Sequence, residues 1–166
     1  DYDNWAQMGI AGWSYADVLP YFKRSEQRIG PGDDTVRGRD GELPVTNLDL
    51  IHPVCEAFIE GATQMGIPQN PDYNNGDQAG TGYFQRTIQK GYRYSAAKAF
   101  LGPIRKRPNV DIRTNAQATE ILFTGSRARG VRYRQGTQPT PAIDVHARRA
   151  VLLCAGALNT PQPMQK

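Results

Sequence analysis

The sequence predicts an α+β fold, with helices and loops in the first two thirds and a sheet-rich last third. Capping residues and a regular apolar stripe mark helices before residue 101. From Asn109 onward, short β-type runs follow one another between turn residues. Near the end, the apolar run Val151–Cys154 leads straight into Ala155-Gly156-Ala157.

Trp13-Ser-Tyr-Ala-Asp17 opens the first of these helices, near 14–26. Ser14 is a good N-cap, and Asp17 three residues later is placed for the return bond of a capping box. Pro20 is expected to break or kink this helix, with Tyr21–Glu26 forming a second piece. Arg28–Glu42 is rich in glycine and charge and reads as a long surface loop. Leu43-Pro-Val45 is a short extended segment.

Pro53 suits the first turn of a helix near 53–65. Val54, Phe58, Ala62 and Met65 recur at spacings of four, four and three, giving one apolar stripe. Gly66 then stops the helix, and Pro68 follows. Asn70–Gly80 is turn-rich. Gly82–Ile88 alternates in the strand manner. Ser95 caps a helix near 95–101 that ends at Gly102-Pro103. Val110–Arg113, Thr119–Phe123, Gly130–Tyr133, Ile143–Ala147 and Val151–Cys154 are the strand candidates, with a hairpin turn at Thr124-Gly-Ser-Arg127. Asn159-Thr-Pro161 reads as the cap and first residue of a last helix, although Pro163 works against it.

The chain has 166 residues, enough for one ordinary domain with its own core. It carries 20 Lys and Arg against 16 Asp and Glu, a net charge of +4. Much of the basic excess sits in Arg105-Lys-Arg107, the Arg127–Arg134 strand and Arg148-Arg149, which read as solvated faces and turns. Nucleic-acid binding would want aromatic rings among them as stacking platforms, and only Tyr133 qualifies. No nucleic-acid partner is therefore expected. No apolar run approaches the roughly 20 residues of a membrane helix, and no targeting segment is visible. Two cysteines give neither a disulfide framework nor a zinc site, so no metal is expected and a reducing, cytoplasmic compartment is the default. Cys154 reads as a buried, inert thiol. His52 and His146 read as structural.

Six segments, in order, carry a family signature: Asp1-Tyr-Asp-Asn-Trp-Ala6, Gly12-Trp-Ser-Tyr-Ala-Asp-Val-Leu-Pro-Tyr-Phe-Lys23, Gly82-Tyr-Phe-Gln85, Tyr94-Ser-Ala-Ala-Lys-Ala-Phe-Leu101, Arg107-Pro-Asn-Val110 and Val151–Gln162. Together they resemble the glucose-methanol-choline oxidoreductases, FAD-dependent alcohol oxidases and dehydrogenases, and most closely the bacterial choline dehydrogenase and alcohol dehydrogenase branch.

The resemblance implies a middle piece of a larger enzyme: the substrate-domain insert plus part of the FAD-binding sheet. It divides the chain into residues 1–40 (helices and loop flanking the FAD domain), 41–108 (substrate-domain segment) and 109–166 (partial FAD-binding domain). The family's Gly-rich dinucleotide fingerprint is absent: Gly80-Thr-Gly82 is followed by Tyr-Phe-Gln. No histidine stands in the family's catalytic context, so no catalytic residue is assigned. The chain alone is expected to be inactive and not to hold FAD.

The resemblance implies roles residue by residue. The backbone at Ala118, in Thr114-Asn-Ala-Gln-Ala118, would meet the adenine. Ala155 and Gly156 would face the ADP part of FAD, where a side chain would block close approach. Tyr83 and Gln85, alternating on one face, would line the cavity for a small alcohol. The parent would oxidise a primary alcohol by hydride transfer to the flavin. The electron acceptor stays open, as does peripheral membrane association of the parent. The competing readings are a ligand-free structural domain and, last, a basic nucleic-acid-binding domain.

Overall fold

Ser14 caps the first long helix as its spacing predicts. Its hydroxyl accepts from the Asp17 amide at 3.3 Å, and the Asp17 carboxylate accepts from the Ser14 amide at 3.0 Å. The structure, a computed structural model, describes residues 1–136 and 140–164. The chain divides into two units, Asp1–Arg107 and Pro108–Lys166.

The first unit begins with α1 (Tyr2–Gln7) and α2 (Tyr15–Ser25). They meet through edge-to-face rings, Tyr2 on Phe22 at 5.8 Å and Trp5 with Trp13 at 6.1 Å. The expected break at Pro20 does not occur: α2 runs through it. The helix therefore continues without the Pro20 amide bond, with its first turn fixed by the capping box.

β1 (Glu26–Arg28) follows directly and pairs in parallel with β2 (Leu43–Val45). The connection between them is the predicted surface loop, and its expected exposure is wrong at its most polar points. Arg28 and Arg37 are buried, Arg37 to 2 % exposure. The loop lies against α2 and β1 because Gly38 and Gly41 let the backbones approach; a Cβ on Gly38 would sit 1.9 Å from the Lys23 carbonyl oxygen.

α3 (Pro53–Gln64) starts at Pro53, with the His52 side chain as its N-cap. The predicted stripe forms on α3 but is left uncovered; Ile59 is the residue that the helix buries. Gly82–Gln85 is extended without a sheet partner. Arg86 bridges to Thr46, and only Ile88–Gln89 (β3) pairs, with Tyr92–Arg93 (β4). The helix expected near 95–101 is a π turn over Ala97–Leu101, closed by the Gly102 amide on the Ala97 carbonyl. Ser95 caps it through the Lys98 amide at 3.2 Å.

The second unit is an antiparallel meander of β5 (Ala116–Thr124), β6 (Arg127–Gln135) and β7 (Ile143–His146), with the hairpin turn at Gly125 as expected. Ile121 and Tyr133 are its buried apolar side chains. Val110–Arg113 and Val151–Cys154 are not strands. A strand needs a neighbour to complete its ladder, and among the described residues these runs pair with none. Leu152 is 85 % exposed and Cys154 is an exposed thiol, against the expectation of burial. α4 (Gly156–Asn159) and α5 (Pro161–Met164) are single turns, and α5 packs on β5. Pro161 takes the first position of its turn, as expected.

Candidate functional site

The residues expected at the cofactor all lie in the second unit. Ala118 stands opposite Tyr133 in the β5–β6 ladder, next to the irregularity between Ala118 and Glu120. It is exposed. Ala155 ends the extended run from Val151, and Gly156 begins α4 with φ +85°, the left-handed region that glycine tolerates. Nothing lies within 4 Å of where a Gly156 Cβ would stand. The Ala155–Gly156 turn therefore presents exposed backbone.

The residues expected at the substrate lie in the first unit. Along 81–87 the odd positions are half-buried and Gly82, Phe84 and Arg86 are exposed, so Tyr83 and Gln85 do share a face. That face is turned inward. The Gln85 carboxamide oxygen accepts from Arg37 Nη1 at 3.0 Å, and its Nε2 and the Tyr83 hydroxyl are both out of solvent without a partner. Burial, and then the Glu56 carboxylate beside it, raise the Tyr83 phenol above its ordinary value.

Arg37 is the residue that sequence reasoning missed. Its guanidinium meets Glu26 at 2.5 Å, Asp72 at 2.7 Å and Gln85 at 3.0 Å, and so ties β1, the turn-rich 70–80 loop and the Gln85 segment together. Two carboxylates against one buried cation satisfy its fork of donors. Nothing in Val36-Arg37-Gly38 distinguishes it from the loop's other arginine, Arg39, which is part-exposed against Asp34. Only the unusual buried acid at Asp72 marks the partner.

On the opposite, exposed face of the same segment, Phe84 packs edge-on to Tyr73 at 5.2 Å. With Phe58, Asn70 and Gly82 these rings line an open cleft of about 460 Å³. His52 is occupied as a cap, its Nδ1 accepting from the Val54 amide at 3.2 Å. No cluster of three or more metal-ligating side chains occurs among the described residues. No helix among them is long and apolar enough to cross a membrane.

The second unit thus carries an open glycine turn, and the first a segment tied by the ion pairs of Arg37. The GMC oxidoreductase family model matches residues 1–166, and the chain belongs to that family. It is 45 % identical over 170 residues to the oxygen-dependent choline dehydrogenase of Burkholderia multivorans and 43 % identical to that of Burkholderia ambifaria. All of this chain is covered in both, but only 29 % of those proteins, so it spans under a third of their length. Among solved structures it is similar to an FAD-dependent oxidoreductase from Chaetomium thermophilum, with a TM-score of 0.89 and 29 % identity over 99 % of this chain and 30 % of that one. It is also similar to pyridoxine 4-oxidase from Mesorbium loti, with a TM-score of 0.85 and 29 % identity over 98 % and 32 %.

Proposed function

We propose that this chain is part of a choline dehydrogenase-like, FAD-dependent enzyme that oxidises a small primary alcohol in the cytoplasm. Residues 41–108 belong to its substrate domain and 109–166 to its FAD-binding domain, with 1–40 flanking the latter. The observation that supports this best is the Ala155–Gly156 turn, with its positive φ and open space in a chain matched from end to end by an oxidoreductase family.

In this reading Ala118 offers backbone groups to the adenine, and Ala155 and Gly156 admit the ADP moiety. FAD, when bound, accepts the hydride from the alcohol carbon. The chain's own residues grip and shape. Tyr83 and Gln85 back the wall of the alcohol cavity, with Gln85 held in one orientation by Arg37. The base that takes the hydroxyl proton is not assigned to this chain, because neither His52 nor His146 stands in the family's catalytic context.

The test compares the 166-residue chain with a full-length enzyme carrying it. The full-length protein is expected to be yellow and to reduce a dye acceptor with choline or another primary alcohol. The chain alone is expected to do neither. Dye reduction by the chain with FAD added would refute the assignment of roles.

A further inference from the structure

We propose that the apolar face of α3, with Phe84 beside it, is an interface covered by the remainder of the parent polypeptide. It rests on family membership and relative length, not on the FAD or alcohol assignment.

The first ground is area. The chain exposes 13102 Å². A folded monomer of its mass would expose about 8,200 Å², and two separate bodies the size of its units about 9,800 Å². Even on the generous count, about 3,300 Å² is in excess. Among the described residues Pro44, Ile59, Ala99, Ile121 and Tyr133 are the buried apolar side chains other than glycine, while many large apolar side chains stand exposed.

The second ground is pattern. Val54, Phe58 and Met65 are 70, 72 and 82 % exposed, yet they share one side of α3. Glu56 and Glu60 project elsewhere around the helix by the same spacing, which leaves the stripe uncharged. Phe58 and Phe84 line the same cleft, so the stripe continues onto the Phe84 face. A contiguous apolar face of this kind on a soluble protein marks a contact surface.

Area and relative length together favour one of the two available occupants. A second copy making a standard interface hides only about 800 Å² per partner. That is a quarter of the excess. Further exposed apolar side chains, Leu152 and Leu158, lie on the second unit. The chain spans 29 % of its curated relatives' length, so a parent of their size carries more than twice this chain's length as cover. The occupant is therefore that remaining polypeptide, offering an apolar surface to α3.

The test is hydroxyl-radical footprinting with mass spectrometry on a full-length enzyme carrying this segment, native against urea-unfolded. Met65 and Phe58 are expected to be oxidised at least tenfold more slowly in the native protein. Less than twofold protection would overturn the proposal. Protection that disappears on dilution to a monomer would also overturn it, in favour of a second copy. The double variant Phe58→Asp with Met65→Lys is expected to lower the thermal midpoint of the full-length enzyme, while Glu60→Lys leaves it unchanged. If the double variant does not fold, the wild-type footprint still decides. A full-length protein that protects Met65 but binds no flavin would sustain the interface and refute the functional proposal.

Discussion

Arg37 and Asp72 meet at 2.7 Å across 35 positions of sequence, both buried. Their contact, with Glu26 on the other side of the guanidinium, joins three segments that share no secondary structure. Removing one partner of such a group leaves the other charges buried without compensation. Arg37→Met is therefore expected to destabilise the first unit by about 3–5 kcal/mol, measured as a lowered urea midpoint. A loss under 1 kcal/mol would mean that the network is hydrated in solution.

Gly38 is expected to be as intolerant as Arg37, for a steric reason. A Cβ there would stand 1.9 Å from the Lys23 carbonyl oxygen and 2.8 Å from that of Glu26, both backbone. Gly38→Ala should cost about 3–5 kcal/mol, the large end for a point change. Gly9→Ala is the comparison: φ is +96° there but the space is open, so only about 1–2 kcal/mol of backbone strain is expected. Thermal midpoints of the two variants should separate clearly.

The Asp144 carboxylate gives a pH signature. Arg132 donates to it from Nε at 2.7 Å and from Nη2 at 2.9 Å, which holds Asp144 below the ordinary carboxylate value despite some desolvation. A depressed folded pKa contributes stability that is present above the unfolded value, about 3.9, and is lost as pH falls through the folded one. Asp144→Asn should therefore be less stable than wild type at neutral pH, and the two unfolding midpoints should converge below about pH 4. Parallel curves down to pH 2 would exclude the ion pair as the cause.

Gly156→Val, made in a full-length enzyme, should lose flavin far more than it loses stability. Strain at φ +85° costs roughly 1–3 kcal/mol. Exclusion of the dinucleotide from the turn has no such ceiling. Flavin-to-protein absorbance and the unfolding midpoint, read on the same samples, separate the two effects. Full occupancy in the variant would reduce Gly156 to a turn residue.

Local chemistry was legible in the sequence, and tertiary context was not. Ser14 with Asp17, Pro53 and the Thr124–Arg127 turn each act within a few residues, and each stands where the sequence predicts. The left-handed backbone at Gly156 is a local need of the same kind, which a glycine signals. Gln85 was placed on the correct face of its segment by alternation. Its partner, Arg37, lies 48 positions away in a loop whose composition signals exposure. Val151–Cys154 shows the converse error. Its apolar residues state a demand for burial, but a ladder partner is a property of another segment.

Arg132 stands directly opposite Asp144 in the β6–β7 ladder and opposite Glu120 in the β5–β6 ladder, and it binds both. If β7 slid by one residue, Ile143 or Val145 would take the place of Asp144, and the acid would turn to the other side of the sheet. A three-stranded meander in which Ile121 and Tyr133 are the buried apolar side chains among the described residues has little else to distinguish one alignment from the next. The arginine thus works as an index mark, letting the strands lock in a single alignment before any neighbouring surface arrives to hold them.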